Sequence, residues 1–422
     1  MRILHTADWH LGATLHELSR EPEQSAFLEW LLDTLESERI DAVLIAGDLF
    51  DHGNPSSAAQ RLWFHFAARA RARFPGLDIV AIGGNHDSPA RLEAPVPLLD
   101  ELGVHVVASF PWRGDPADVA RLVIPLGGRR GAVEAWVAAV PYVRPIGVSD
   151  QPTDDGRDVL IEAVRDAYAR VLDEGRRLRQ PGQALLAMGH AYLVGGKLSE
   201  QSERKVLCGN QHPLPVDLFP DDVAYVALGH LHLAQTVGGR AHVRYSGSPL
   251  PLAVTEAGYR HQVLVVEIAG ERVTDVRSLP VPRTVAMLRV PDEGAPEKAW
   301  PRERVLAELS KLPSKADAPD SSSWPFLDVT VDVSAGPEPD LRGVVEAALS
   351  VRAARLVRLF LDRGTRTDGG AGTEPPPPLQ ELGPEQVFRL CYERAYAGAP
   401  SPELLAAFHD LHEEVRRREV AP

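Results

Sequence analysis

The first 110 residues alternate between short apolar runs and longer amphipathic ones. Arg2–Thr6 (RILHT), Ala42–Ala46 (AVLIA) and Asp78–Ile82 (DIVAI) have the length and character of buried strands. Between them, Glu21–Ser37 carries Phe27, Leu28, Leu31, Leu32 and Leu35 at helical spacing, and residues 56–73 read as a second helix. Strand, helix, strand, helix, strand at this spacing predicts an α/β layer architecture with parallel pairing. Each strand runs into polar residues just past its C-terminal end, where open α/β sheets build their ligand sites.

The rhythm then loosens. Glu134–Val140, Ala184–Met188, Val223–Leu228, His242–Tyr245 and Gln262–Ile268 read as strands, and Arg157–Arg177 as a polar amphipathic helix. Residues 1–280 are expected to form one large domain. Beyond it, Val285–Val290, a helix near 302–312, Phe326–Val333, a helix near 341–350 and Arg355–Leu361 predict a small α+β unit over 283–361. Residues 362–383 include RGTRTDGGAGTEPPPP, a flexible-then-stiff linker. Two helices are expected in 384–417. Their apolar stripes are Val387, Phe388, Leu390 and Tyr392, then Leu404, Leu405, Phe408 and Leu411. So short a pair cannot bury enough surface to fold alone and is expected to dock on its own body or on a partner.

Composition narrows the classes. At 422 residues, with 44% apolar and 25% charged positions, the chain fits a soluble protein of two or three domains and excludes collagen-like or wholly disordered readings. No run of about 18 apolar residues predicts a membrane span. The start, MRILHTADWH, lacks the apolar stretch of a signal peptide, so a cytoplasmic location is expected. Two distant cysteines, Cys208 and Cys391, exclude a disulfide framework or a thiolate zinc site. A net charge of −14 argues against polyanion binding by the whole surface; nucleic acid would need local basic groups, bound cations or a partner. The clearest basic series is Arg352, Arg355, Arg358, Arg363 and Arg366, which reads as a solvated strand and linker in preference to a phosphate contact.

Five short motifs carry chemistry: Asp8-x-His10, Gly47-Asp48-x-x-Asp51, Gly84-Asn85-His86-Asp87, Gly189-His190 and Gly229-His230-x-His232. Singly they are weak; Asp-x-His is commonplace, and Asn-His-Asp also makes a good turn. Together, each behind a strand, they bring Asp, Asn and His to one sheet edge. Carboxylate, imidazole and amide oxygen without thiolate suit manganese, iron or zinc. Seven ligands (Asp8, His10, Asp48, Asn85, His190, His230 and His232) are too many for one tetrahedral ion and suit two ions sharing a carboxylate, for which Asp48 is the choice. His5, His16, His65, His105, His212, His242 and His261 lack such a setting and read as ordinary, and Asp41 and Asp78 as caps at the opposite end of the sheet.

The set DxH…GDxxD…GNHD…GH…GHxH resembles the signature of the calcineurin-like metallophosphoesterases. HTADWHLG, GDLFDHGNPSS, GNHDSPARL, LGHLH and VRYSGSPLPL resemble more narrowly the SbcD family of nuclease subunits, as does ELGPEQVFRLCYERAYAGAPSPELLAAF near the C-terminus. The resemblance spans essentially the whole chain, strongly in 1–100 and 185–255 and weakly in 110–180 and 283–380. It implies an α/β fold: a metallophosphoesterase β-sandwich flanked by helices, a small α+β cap domain at 283–361 and a C-terminal helical pair. It further implies two Mn(2+) ions, one held by Asp8, His10, Asp48 and His232, the other by Asp48, Asn85, His190 and His230. His86 would give a proton to the leaving oxygen, with Asp87 orienting it; Asp51 and His52 would lie near substrate, the role of His52 being left open. The implied activity is DNA cleavage: 3'-5' double-strand exonuclease, single-strand endonuclease and hairpin opening. The implied partners are an SbcC-type ATPase held by 384–417 and a second copy of the chain, a homodimer formed through helices near 62–66 and 92–102. Two competing readings remain: a phosphatase or cyclic-nucleotide diesterase, which would seldom need residues 283–417, and a DNA-tethering structural protein, which would not need an intact ligand set.

Overall fold

A computed structural model describes residues 1–112, 115–144, 159–197, 213–292, 294–318, 320–334, 336, 338 and 340–363, together with 385–389, 392, 400–401, 404–405 and 407–409. In chain order the first elements are β1 (Arg2–Thr6), the small hairpin β2 (Thr14–Leu15) and β3 (Leu18–Ser19), α1 (Glu21–Ser37), β4 (Ala42–Ala46), α2 (Ser57–Arg73), β5 (Asp78–Ile82), α3 (Pro89–Glu93), α4 (Val96–Glu101) and β6 (Val104–Val107). Next come α5 (Pro116–Ala120), β7 (Val123–Leu126), β8 (Ala135–Ala139), α6 (Val159–Leu178), β9 (Ala184–His190), β10 (Tyr225–Gly229), β11 (Gln235–Val237), β12 (Arg240–Tyr245), β13 (Gln262–Ala269) and β14 (Arg272–Pro280). The last are β15 (Met287–Val290), α7 (Arg302–Leu309), β16 (Phe326–Asp332), α8 (Leu341–Leu349) and β17 (Arg355–Asp362).

Two six-stranded sheets face each other, ordered β14-β13-β1-β4-β5-β6 and β11-β12-β10-β9-β8-β7. The expected parallel set β1-β4-β5 is present, and β13 closes it by pairing antiparallel with β1. Strand alternation sorts the side chains. Ile3, Leu44, Val80 and Ile82 point between the sheets to meet Val137, Leu186 and Val226. Leu4, Val43, Ile45 and Ile79 point outward under α1 and α2. On the far side, α6 lays Val164, Ala167, Tyr168 and Val171 on the second sheet. The result is a helix–sheet–sheet–helix stack. Strands β6, β7, β11 and β14 and the β2–β3 hairpin were not legible in the apolar pattern. Arg272–Pro280 shows why: it is a sheet-edge strand with no fully buried residue, so no alternation marks it. Asp41 and Asp78 do sit at the opposite end, accepting from the Arg2 amide and from the Gly127 and Gly128 amides.

The small unit has its own core, with Val305, Leu309, Val345 and Leu349 packed on Val329 and Val331 of the parallel sheet β15-β16-β17. A second apolar cluster couples it to the larger body: Leu15 of the hairpin and Val254 meet Val285, Phe326 and Val357. Phe326 lies between two guanidiniums, Arg355 at 4.0 Å and Arg20 at 5.8 Å from its ring centroid. Arg20 is itself buried and paired with Glu23. Residues 364–422 form a separate unit. In it Phe388 stacks on Phe408 at 4.4 Å, and His409 Nε2 meets Glu385 Oε2 at 2.9 Å; Leu390 and Leu411 of the expected stripes lie outside the described residues. The linker residues 364–383, together with His212 and Arg366, lie outside the described residues.

One buried histidine makes the fold pH-sensitive. His5 Nε2 lies 3.1 Å from the Leu228 carbonyl and Nδ1 3.0 Å from the Tyr225 hydroxyl, which suits a neutral ring donating from Nε2 and accepting at Nδ1. Burial lowers its pKa to about 3, against the pull of the Leu228 carbonyl. The unfolded ring titrates near 6.5 and so binds the extra proton first as pH falls. This contribution to stability is complete above about pH 6.5 and is lost between there and pH 3, with a slope approaching ~1.4 kcal/mol per pH unit. Denaturant melts from pH 7 to 4.5 should show a shallower slope for His5→Gln than for the natural chain; equal slopes would contradict the assignment.

Candidate metal centre

The five motifs occupy turns behind β1, β4 and β5 of one sheet and in or behind β9 and β10 of the other. Parallel strands end at one edge, and the two sheets present adjacent edges. The Asp8 and His10 amides donate to the Gly47 and Asp48 carbonyls at 3.0 Å, zipping the first turn to the second. Four of the ligand candidates hold left-handed backbone: Asp8 (φ 54°), His10 (φ 44°), Asp48 (φ 48°) and His230 (φ 101°). Such conformations cost about 1–3 kcal/mol each and persist where the surroundings over-determine them. Gly84 permits the tightest approach in the turn after β5; a Cβ there would lie 2.3 Å from the Asp48 amide nitrogen.

These constraints gather all seven ligand candidates around one carboxylate. Asp48 Oδ1 accepts from the His86 amide at 2.8 Å. Its Oδ2 stands 3.6 Å from His10 Nε2 and 3.2 Å from His190 Nε2. Asn85 Oδ1 lies 2.9 Å from both His190 Nε2 and His230 Nδ1. Ligand atoms of Asp8, His10 and His232 lie within 4.8 Å of one another, as do those of Asp8, Asp48 and His190.

The donor set fits cations. His190 Nδ1 lies 2.9 Å from the Ala46 carbonyl, and His10 Nδ1 lies 3.1 Å from Asp51 Oδ1. With those protons on Nδ1, both Nε2 lone pairs face Asp48 Oδ2, and the His190 lone pair also faces Asn85 Oδ1. A neutral cluster would set acceptor against acceptor. Among the described residues, Asp8 Oδ2 and His10 Nε2 are buried without a hydrogen-bond partner, each normally costing about 1–3 kcal/mol. Divalent ions satisfy these atoms together.

The electrostatics of the cluster point the same way. Burial opposes a charged His190, yet the Asp48 carboxylate outweighs it and raises the ring to about 9. Burial and the neighbouring His190 lower His230 to about 3. Burial raises Asp8. Asp48 is held well below the usual carboxylate range because His190 overcomes its burial. Burial opposes a charged His10 as well, yet Asp51 and Asp48 raise it. Imidazoles thus carry counter-charge where the geometry offers cation sites.

Outer partners fix the rings, as carboxylates and carbonyls commonly do for metal-bound histidines. Asp51 holds His10, and its carbonyl lies 2.9 Å from His86 Nδ1. His52, exposed, reaches Asp51 Oδ2 with Nε2 at 3.0 Å. Asp87 is a correction: it does not orient His86. Its carboxylate accepts from the amides of Leu49, Phe50 and Gly84, tying the second and third turns together, and burial beside Asp48 raises it to about 6. Only a buried Asp with three amides converging on it fills that role, and those amides come from two turns that sequence spacing does not bring together. Sequence reasoning also missed Glu256, which lies 2.9 Å from His232 Nδ1, and Arg144, which donates to the Asn85 carbonyl at 2.9 Å. Both sit outside any motif. The centre opens into a cleft of about 590 Å³, where the small unit contributes Arg358 and the hairpin contributes His16, a residue that had read as ordinary. His5 and His261 are buried on hydrogen bonds of their own, away from the cleft.

Residues 1–234 match the calcineurin-like phosphoesterase family, and residues 284–396 match a family described as the type 5 capsule protein repressor C-terminal domain. The chain is 38% identical to the SbcD component of the SbcCD nuclease of Rhodobacter capsulatus, over 93% of this chain and 94% of that protein. It is 37% identical to the component of the same name from Escherichia coli, over 68% and 70% of the two chains. The corresponding Bacillus subtilis protein is 38% identical over 65% and 68%.

Adding a divalent ion should stabilise the chain against heat, because ligand at 100 times its Kd contributes about 2.7 kcal/mol. Asp48→Asn and Gly84→Ala should each abolish most of the manganese-induced rise in Tm, the first by replacing the carboxylate with a neutral amide and the second by pushing Asp48 aside. A full manganese shift in both variants would refute this geometry.

Proposed function

Since the chain belongs to the SbcD family of calcineurin-like phosphoesterases and is a metal-dependent nuclease, we propose that it cleaves DNA with a pair of manganese ions at this centre. Asp8, His10, Asp48 and His232 would hold one ion; Asp48, Asn85, His190 and His230 would hold the other. The observation that carries this reading is Asp48 Oδ2, which faces one histidine of each set. When bound, such a pair polarises the phosphate and lowers the pKa of a shared water towards neutrality.

The chain's own residues supply orientation and a proton. Asp51 and the Ala46 carbonyl keep protons on the Nδ1 atoms of His10 and His190, which leaves their Nε2 lone pairs available to cations. His86 keeps Nδ1 on the Asp51 carbonyl, so in its protonated form the mobile proton sits on Nε2, ready for the departing sugar oxygen. The ions offset the acidic surface locally, which suits a phosphate substrate on a chain of net charge −14.

The resemblance extends the proposal to 3'-5' double-strand exonuclease, single-strand endonuclease and hairpin-opening activity in DNA repair, recombination and replication, in the cytoplasm. The partner is an SbcC-type ATPase, bound through 384–417; the stacking of Phe388 on Phe408 supports a helical pair there. Residues 283–361 govern how DNA reaches the ions. A homodimer contact at α4 draws support from Leu98 and Leu102, both exposed, whereas Trp63, Phe66, Leu92 and Leu99 are buried on the sheet. Among the described residues no helix is long and apolar enough to cross a membrane.

His86→Ala should slow cleavage of a labelled hairpin duplex by about 10²–10⁴ while keeping the manganese-induced rise in Tm; an unchanged rate would remove His86 from the mechanism. A natural chain that hydrolyses a small phosphodiester but not the hairpin would favour the phosphatase-like reading. Deleting 384–417 should abolish co-purification with the ATPase yet leave the manganese shift intact, and normal co-purification would refute that docking role.

A further inference from the structure

Arg358 enters the cleft from outside every motif. It lies on β17, next to Val357, whose burial with Leu15 and Phe326 fixes this strand over the β2–β3 hairpin. Its side chain is 23% exposed and lines the same cleft as Asp48, His86 and His232. Its guanidinium grips Asp328 with both arms, Nε to Oδ1 at 2.7 Å and a terminal nitrogen to Oδ2 at 2.8 Å. Asp328 is 2% exposed and also meets Arg289 at 3.4 Å, so one carboxylate is divided between two cations.

A buried acid is a poor way to stabilise a strand pair. Apolar residues of similar volume are commonly as good or better there, because desolvation offsets the Coulombic gain. Its value lies in geometry, since a bidentate carboxylate fixes the plane of a guanidinium. The neighbouring arginines of the same segment are used differently. Arg352 donates to the Leu312 carbonyl, and Arg355 donates to the Trp324 carbonyl and stacks on Phe326. Arg358 alone of the three lines the cleft that holds the candidate ions.

We infer that Arg358, held by Asp328, binds a backbone phosphate of the nucleic-acid strand next to the one being cleaved, and so sets the preference for polymeric over small phosphodiesters. This rests on the nuclease reading above. A phosphate one nucleotide away is present in DNA and absent from a small diester, and a planar guanidinium matches it bidentately. The sequence favoured a solvated role for the arginine series; position 358 departs from it because the chain folds this strand over the metal cleft.

The test is equilibrium binding of a fluorescent hairpin duplex to the full-length His86→Ala chain with manganese, across a salt series, with Arg358→Gln added. The dissociation constant should rise about tenfold, and the slope of log K against log salt should shrink by about 0.9, the share of one phosphate contact. Arg358→Lys should recover most of the salt slope and part of the affinity. The double variant Arg358→Gln, Asp328→Asn removes the stranded buried acid. It should regain thermal stability while still binding weakly with the smaller slope. If binding returns together with stability, or if Arg358→Gln leaves both affinity and slope unchanged, the inference is wrong while the nuclease reading stands. If the His86→Ala chain fails to bind the hairpin and the natural chain fails to cut it, both fall.

Discussion

A single buried carboxylate oxygen organises this molecule. Asp48 Oδ2 faces Nε2 of His10, from the first sheet's edge, and Nε2 of His190, from the second. Asp48 Oδ1 is already taken by the His86 amide, so the side chain cannot turn away. With His190 Nδ1 on a carbonyl and His10 Nδ1 on Asp51, the lone pairs that meet there suit a cation. The sandwich holds two sheet edges close enough for one oxygen to face a histidine from each.

That closeness has a structural cost, and the surrounding turns bear it. Left-handed backbone at Asp8, His10, Asp48 and His230 is unfavourable for residues with a Cβ. It is held by the amide–carbonyl ladder between the first two turns, by Asp87, which draws three amides of the second and third turns onto one carboxylate, and at His230 by its amide donating to Asp8 Oδ1. Strain concentrated at functional turns and supported by buried hydrogen bonds is the pattern expected of a site preorganised before its ions arrive.

The small unit belongs to the same mechanical system. Phe326 between Arg20 and Arg355, with Leu15 beneath, joins its sheet to the hairpin that borders the cleft. One face of β17 therefore borders the metal cleft and the other the core of the small unit. A change in how this unit sits would move Arg358 and the hairpin together, because both border the same cleft.

The parallel strands, the covering helices, the small α+β unit and all seven ligand candidates were legible along the chain. Each of these is written locally: apolar runs of strand length, helical stripes, and Asp, Asn or His directly behind a strand end. His86 was marked in the same way. Contacts made across long separations were not. Glu256 behind His232, the true role of Asp87, the presence of His16 in the cleft and the bond between Arg358 and Asp328 leave no local signature. Edge strands such as Arg272–Pro280 escaped for a related reason, because a strand exposed along much of its length shows no alternation. Local pattern follows from backbone periodicity and can be read one segment at a time. Which ring a carboxylate orients depends on where two sheets meet, and that is settled by packing between segments far apart in the chain.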